Sequence, residues 1–322
     1  MEFQTLSYYK YINLPDAPQM AADHLAFCVQ LGVKGRVFFA DEGLSGTVSG
    51  SVEQCNAYKQ QLNSLPPFAD LEFKTDPSQT HSFNKIHVRY RPEVVHFGHN
   101  IRLNPAQETA KHLSPQAVLQ LKDQPNVVFL DARNKFEWIV GKFKNAVTLD
   151  IDTFRDFPEK LAELEPLKQK TVIAYCTGGI RCEKATAFLL QNGFSRDKLF
   201  QIDGGIINYA AQTGGTDFDG KCYVFDKRVV IDVNTVNPTV VSTCATCGSL
   251  ESRMVNCANP ECNNHYVQCK TCSDTLNGAC SVACSEHPRI RPYDGTGYYA
   301  QSGKQIFTKN TKPNYQQQQQ QL

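Results

Sequence analysis

The segment from Thr171 to Phe194 concentrates more chemistry than any other stretch of the chain. An apolar strand, TVIAY, delivers Cys176 to its carboxyl end, Thr177, Gly178, Gly179 and Ile180 curl tightly, and Arg181 opens a helix. Glycines let successive backbone N–H groups turn into one concavity, and a helix start adds positive potential to it. A thiol at the rim of such a cradle ionises readily and serves as a nucleophile beside a bound anion, either a persulfide or an oxyanion. Burial of a strand-end cysteine gives no reason for two glycines and an arginine behind it. Arg181 is placed to stabilise the thiolate and to close the loop. Cys182, the next residue, is a candidate resolving thiol for an oxidised or persulfidated Cys176.

A second concentration lies further on. Eight of the thirteen cysteines fall between Cys244 and Cys284, spaced Cys244-x2-Cys247, Cys257-x4-Cys262, Cys269-x2-Cys272 and Cys280-x3-Cys284. Each short hairpin offers two thiolates from one side, so four pairs can furnish two tetrahedral sites of four sulfurs each. The spacing fits sequential and interleaved pairing alike, and His265 or His287 could replace one cysteine. Four filled positions leave none open for substrate, so the expected role is structural, with two zinc ions folding a stretch poor in apolar residues. The alternatives are an iron–sulfur cluster, whose signatures usually differ in spacing, and a disulfide framework, which needs an oxidising compartment. Cys28 and Cys55 sit in helix-like apolar stretches and read as core thiols.

A third feature is a strand, KIHVRYR, in which Lys85, His87, Arg89 and Arg91 alternate with Ile86, Val88 and Tyr90. A period of two puts the basic side chains on one face and the apolar ones on the core face. A basic sheet face can hold a phosphodiester backbone without reading sequence, and the bland alternative is a solvated outer face.

The elements that must position these residues fall into successive blocks. Residues 1–100 read β-α-β-β-α-β: a helix ended by Gly32, a second ended at Pro66-Pro67, and strands around them. That order suits a ferredoxin-like α+β unit, a candidate nucleic-acid-binding domain once its basic strand is considered. From 113 to 215 strands alternate with helices, beginning at the Ser114-Pro115 helix start, which implies a parallel sheet with helices on its faces and chemistry at the carboxyl ends of its strands. Residues 221–300 open with a crossing strand pair in YVFDKRVVID and continue into the cysteine cluster. Residues 301–322, with their glutamine run, read as a disordered tail without chemistry. The expected fold class is therefore α/β multi-domain.

Composition bounds the reading. With 322 residues, 41% hydrophobic and 20% charged, the chain is long enough for two or three globular domains. Lys+Arg 33 against Asp+Glu 32 excludes a uniformly basic binder but leaves room for a local basic face. No apolar run approaches the ~18–20 residues of a membrane span, and the start, MEFQTLSYYKYINLPD, lacks the basic and apolar regions of a signal peptide. The expected location is cytoplasmic, without membrane association, where a cysteine cluster more often means metal than disulfide.

Residues 113–215 resemble a rhodanese domain. The likeness rests on Asp131-Ala132-Arg133 after a strand, on Phe136-Glu137, Gly141-Lys142-Phe143 and Ala146, on the loop from Cys176 to Arg181, and on Gln201-Ile202-Asp203-Gly204-Gly205-Ile206. In rhodanese relatives the loop cysteine carries a persulfide, while related phosphatases use a loop one residue longer. The six-residue loop is the sulfurtransferase size and argues against a phosphatase. By the same resemblance Asp131 and Arg133 tie elements together.

The whole of residues 1–290 is similar to the bacterial tRNA uridine-34 hydroxylase family. The likeness is carried by Asp41-Glu42-Gly43-Leu44-Ser45-Gly46-Thr47, by the strand with His81, Lys85 and His87-Val88, by Cys176 to Lys184 with its paired cysteines and Glu183-Lys184, and by the cysteine-rich end. The resemblance implies oxygen-dependent conversion of the wobble uridine in the tRNA anticodon loop to 5-hydroxyuridine, the first step towards 5-carboxymethoxyuridine. It places the family's active-site cysteine on Cys176 and makes O2 a co-substrate. No G-x-G-x-x-G run and no H-x-D/E pair points to the electron donor. Two other readings compete: a plain sulfurtransferase passing sulfur from a Cys176 persulfide to a partner or RNA, and a non-catalytic zinc and RNA adaptor.

Overall fold

The computed structural model describes residues 2–98 and 101–297. These fall into two units that divide between Thr239 and Val240. The residues expected to form a disordered tail, 301–322, lie outside the described residues.

The first unit opens with β1 (Phe3–Tyr11), α1 (Ala17–Leu31), β2 (Lys34–Ala40), β3 (Gly43–Ser51), α2 (Val52–Asn63), β4 (Lys74–Ser78) and β5 (Ile86–Tyr90). Gly32, left-handed at φ 80°, ends α1, and a Ser51–Gln54 capping box starts α2. The sheet order is β4-β1-β3-β2-β5: four antiparallel strands of ferredoxin-like order, extended by β5, which pairs parallel with β2. Pro92 follows closely and offers no N–H for further pairing, so β5 is short.

Period-two alternation divides this sheet into two faces. Leu6, Tyr8, Val37, Phe39, Leu44, Val48 and Val88 join Cys28, Cys55 and Tyr58 of the helices in one core. Register then puts Ser7, Tyr9 and Tyr11 of β1, Lys74 and Asp76 of β4, Ser45 and Thr47 of β3, Arg36 and Phe38 of β2, and His87 and Arg89 of β5 on the other face.

The same unit continues with β6 (Lys111–Leu113), α3 (Pro115–Leu121), β7 (Val127–Asp131), α4 (Lys135–Trp138), β8 (Gly141–Phe143), β9 (Val147–Thr148), α5 (Leu161–Leu164), β10 (Thr171–Tyr175), α6 (Ile180–Gln191), β11 (Leu199–Ile202) and α7 (Gly205–Thr213). The parallel sheet runs β6-β11-β10-β7-β9, with β10 at its centre. Apolar clusters cover both of its faces, as a parallel sheet requires. The helix expected from FRDFPEKLAELEPL is broken into a 3-10 turn over Phe154–Lys160, α5, and another 3-10 turn over Glu165–Gln169. Pro158 and Pro166 each lack an N–H donor, which interrupts the α pattern. Three short strands close the unit, β12 (Phe218–Gly220) against β8, and the hairpin β13 (Cys222–Tyr223) with β14 (Val230–Ile231), the crossing pair expected from YVFDKRVVID.

The second unit carries the hairpin β15 (Met254–Asn256) and β16 (His265–Val267), then α8 (Lys270–Thr275) and α9 (Val282–Ser285). Its apolar core is small, with Val255, Tyr266 and Ala279 packed against cysteines. Among the described residues no helix is long and apolar enough to cross a membrane.

Candidate active site

Strand β10 ends at Tyr175, and the loop from Cys176 to α6 folds around the cysteine's own sulfur. The Gly179 N–H donates to Cys176 Sγ at 3.1 Å, and the Arg181 N–H and the Cys182 thiol donate to it as well. Gly179 adopts φ +101°, which a side chain rarely does, and a Cβ there would meet the Tyr9 hydroxyl at 2.8 Å. Behind the loop, the start of α7 holds its carbonyls: Ile206 N–H donates to Cys176 O at 3.0 Å and Ile207 N–H to Thr177 O at 3.2 Å.

Cys176 is 1% exposed. Burial alone pushes its thiol up, but the Cys182 thiol, the Arg181 charge and the two backbone N–H groups outweigh burial and bring it down to about 5. Cys182 moves the opposite way, raised by burial and by donating to Cys176. The pair is thus a thiolate held by a thiol. Cys222, buried nearby, is pushed up to about 12, chiefly by burial.

Arg181 reaches across the loop to α4. Its guanidinium forms a two-pronged pair with Glu137 of α4, Nη1 to Oε2 at 2.5 Å and Nη2 to Oε1 at 2.7 Å. Thr177 Oγ1 donates to the same carboxylate at 3.4 Å. The side chain closes the loop against α4, while the residue's N–H and charge serve the sulfur. Asp131 and Arg133, both 0% exposed, form a buried pair with Tyr175: Arg133 Nη2 donates to Asp131 Oδ2 at 2.7 Å and to Gly141 O at 2.8 Å, and Tyr175 OH donates to Oδ2 at 2.6 Å. They fasten β7, β8 and β10 together and lie outside the thiolate's hydrogen bonds.

The N-terminal domain reaches this loop. Lys74 Nζ donates to Gly178 O at 2.6 Å and stands 5.4 Å from the centre of the Tyr9 ring. Burial lowers the Lys74 ammonium, against the opposing pull of Cys176, Asp203 and Glu183. Tyr9 OH donates to Glu183 Oε1 at 2.9 Å and Tyr11 OH to Ile180 O at 3.3 Å. Glu183 also accepts from Thr109 Oγ1 at 2.8 Å and Gln201 Nε2 at 3.1 Å, and pairs with His112 Nε2 at 2.8 Å. Lys184, its neighbour, pairs with Glu42 Oε1 and Glu93 Oε2, each at 2.7 Å. A side chain built at Gly178 would meet nothing within 4 Å, so the loop's open flank lies there.

Sequence reasoning missed Lys74, Tyr9, Tyr11 and Glu137 as parts of one site. Glu137 appears in the rhodanese likeness only as a motif residue. Alternation of tyrosines along β1 was the available signal for Tyr9 and Tyr11, but nothing local says which partner that face meets.

The basic strand is the outer edge β5. His87 and Arg89 share a face with Arg36 and Phe38 of β2, and the Arg91 guanidinium lies 3.5 Å from the centre of the Phe38 ring. Burial lowers the His87 imidazole, and the cations Lys85, Arg89 and Arg36 around it act in the same direction. Arg36 is the member of this cluster that the strand pattern around Lys85 did not include.

The eight cysteines form two groups of four. Sulfurs of Cys244, Cys247, Cys269 and Cys272 lie within 4.8 Å of one another, as do those of Cys257, Cys262, Cys280 and Cys284. The pairing is therefore interleaved, first pair with third and second with fourth. Tetrahedral sulfurs at a zinc–sulfur distance of about 2.3 Å stand about 3.8 Å apart. The observed 3.8 Å between Cys247 and Cys269 and 3.7 Å between Cys262 and Cys280 match that spacing. Backbone N–H groups donate to sulfur in both groups, from Cys272 to Cys269 and from Cys280 to Cys257, each at 3.4 Å, as thiolate ligands need. The histidines stand outside: His287 pairs with Glu261 at 3.3 Å and His265 Nε2 meets Asn256 Nδ2 at 3.2 Å.

Three stretches of the chain match known family models. Residues 3–94 match the UPF0176 acylphosphatase like domain, 114–212 the rhodanese-like domain and 219–285 the rhodanase C-terminal family. A tRNA uridine(34) hydroxylase of Cytophaga hutchinsonii is 50% identical over 92% of this chain and 95% of its own length. Proteins of the same name from Staphylococcus epidermidis and Bacillus licheniformis are each 40% identical, covering 90% and 89% of this chain and 91% and 90% of theirs. At that identity and coverage, the chain belongs to the tRNA uridine(34) hydroxylase family.

Proposed function

We propose that this protein hydroxylates carbon 5 of uridine 34 in tRNA, giving 5-hydroxyuridine, with Cys176 as the nucleophile. The observation that carries the chemistry is a buried thiolate with Lys74 of the N-terminal domain at the rim of its loop. Uridine C5 is a weak nucleophile. Addition of the Cys176 thiolate to C6 forms a C–S bond and moves the C5=C6 pair towards O4 as an enolate, whose charge the Lys74 ammonium can meet. Carbon 5 then attacks oxygen. Loss of the C5 proton and expulsion of the thiolate restore the ring, so one oxygen atom of O2 enters the base and two electrons from a reductant take the other to water.

In this reading residues 113–215 are catalytic, with Cys176 and Arg181 central and Thr177, Gly178, Gly179 and Ile180 as the anion cradle. Residues 1–100 bind tRNA, with Lys85, His87, Arg89 and Arg91, joined by Arg36, taking phosphates along the outer sheet edge. Residues 221–300 hold two structural zinc ions. The anticodon loop is the part of the tRNA that enters, and the cytoplasm, where tRNA is found, is the location.

The test is mass spectrometry of nucleosides from tRNA of cells lacking the gene, complemented with wild type or Cys176→Ala. Restoration of 5-hydroxyuridine-derived nucleosides by wild type alone is expected. Restoration by Cys176→Ala removes the nucleophile assignment, and no change on deletion in cells without a redundant route moves the function to persulfide transfer.

A further inference from the structure

The turn between β13 and β14 presents Phe225, 49% exposed, beside the catalytic loop. The Arg181 Cζ stands 5.8 Å from the centre of its ring. Behind it, Tyr223 and Phe136 meet the ring edge to face, with centroids at 5.1 Å and 6.5 Å. An exposed apolar side chain by itself means little. This one is held in place by a turn built to hold it. Val224 N–H donates to Val229 O at 2.8 Å, and Asp226 Oδ1 accepts from Arg228 N–H and Nε, each at 2.9 Å. Arg228 also crosses to Asp76 on β4, on the same sheet face as Lys74. Val229 adopts φ 59°, a strained state for a β-branched residue, which persists only where the surroundings impose it and concentrates at functional sites.

A solvent-facing ring held beside the loop of a nucleophile, backed by aromatics and with the exposed Lys227 two residues along the same turn, suits a flat π-face with a phosphate nearby. A groove lined by Ser78, Thr80, His81 and Lys227 continues from the same turn, with Lys227 exposed. We propose that Phe225 is a stacking subsite for a nucleobase of the RNA substrate, one flanking the uridine that Cys176 attacks; this rests on the tRNA reading above. The subsite holds the neighbouring base on the Phe225 ring while the target base enters the loop.

The test is a thermodynamic cycle on the full chain. Binding of an anticodon stem–loop RNA is followed by fluorescence anisotropy for wild type, Phe225→Leu and Phe225→Trp, using intact RNA and RNAs lacking either base beside the target. Base–aromatic stacking predicts that Phe225→Leu weakens binding of intact RNA by about 5- to 150-fold. Phe225→Trp restores it, one of the base-free RNAs costs wild type a similar factor, and that RNA combined with Phe225→Leu loses no more than either change alone. Equal binding by Phe225→Leu and wild type, or losses that multiply for both base-free RNAs, overturns the subsite. The same incubations, supplied with O2 and reductant, are read for 5-hydroxyuridine. Wild type that binds without hydroxylating overturns the functional reading and leaves the cycle to decide the subsite, and wild type that does not bind the RNA overturns both.

Discussion

Replacing Cys182 by alanine tests how the Cys176 sulfur is kept ionised. Among the groups that bring the Cys176 thiol down to about 5, the Cys182 thiol stands first. A hydrogen bond to a charged group is worth about 1.5–3 kcal/mol, and one pKa unit is about 1.4 kcal/mol, so losing it should raise Cys176 by about one to two units. The sign is fixed: a donor that favours the thiolate is removed while burial, which opposes the thiolate, remains. At pH 5.5 the thiolate fraction then falls about three- to 25-fold, and above pH 8 it hardly changes. The assay is the rate of iodoacetamide alkylation of the Cys176 peptide against pH, read by mass spectrometry so that the other twelve cysteines do not interfere. Cys182→Ser keeps an O–H donor in the same place and should titrate near wild type. An unchanged titration in Cys182→Ala would refute the reasoning, leaving the backbone N–H groups and the Arg181 charge to account for the low value.

Interleaved metal sites predict that Cys247→Ser and Cys269→Ser each release one of two zinc ions and that their combination releases no more, whereas Cys247→Ser with Cys257→Ser empties both. Metal analysis of purified protein checks this, and sequential pairing gives the reverse. Glu183→Gln removes the charge and one of the two oxygens, so either Tyr9 and His112 or Thr109 and Gln201 lose their acceptor, and it should lower unfolding free energy by about 3 kcal/mol in urea titration; a loss under about 1 kcal/mol counts against it. His112 is raised by Glu183, so its share of that stability is full below its unfolded value and disappears as pH rises through its folded one, and the deficit should shrink as pH rises above about 6.5. Arg36→Gln and Arg89→Gln should each weaken tRNA binding alike across tRNAs and reduce the salt slope by about 0.9; an unchanged slope in a salt titration removes that contact.

The loop around Cys176, the split α/β N-terminal unit, the parallel sheet and the number of cysteine ligands were legible because each is written in local sequence: glycine positions, alternation, capping residues and pair spacing. Interleaving of the cysteine pairs was not, because four equivalent hairpins carry no local record of which two meet. Lys74 was hidden for a related reason. It lies in LEFKTD, an ordinary edge-strand segment, and becomes a site residue only because the outer face of β4 meets the Gly178 carbonyl. Arg36 and Phe38 join the basic strand through the parallel pairing of β2 with β5, which a strand's own pattern does not specify. Glu137 as the partner of Arg181 was hidden because it comes from α4, which follows another strand.

Glu183 and Lys184 explain why the run after Cys176 differs from what a lone sulfurtransferase loop requires. The two residues stand at consecutive positions near the start of α6, both buried, and each binds the N-terminal domain: Glu183 holds Tyr9, and Lys184 holds Glu42 and Glu93. Buried charges are expensive unless fully paired, so such a clamp is stable only with the domain seated. Seating it brings Tyr9 against Gly179 and Lys74 onto the Gly178 carbonyl and leaves Cys176 almost without exposure. A persulfide carrier that hands sulfur to varied partners works best with its loop uncovered. Here the cover leaves space at Gly178, with a lysine at the rim. That arrangement suits one planar ring brought to the sulfur with a charge partner ready, and loss of the clamp should therefore impair tRNA chemistry before it impairs the reactivity of Cys176 towards small thiol reagents.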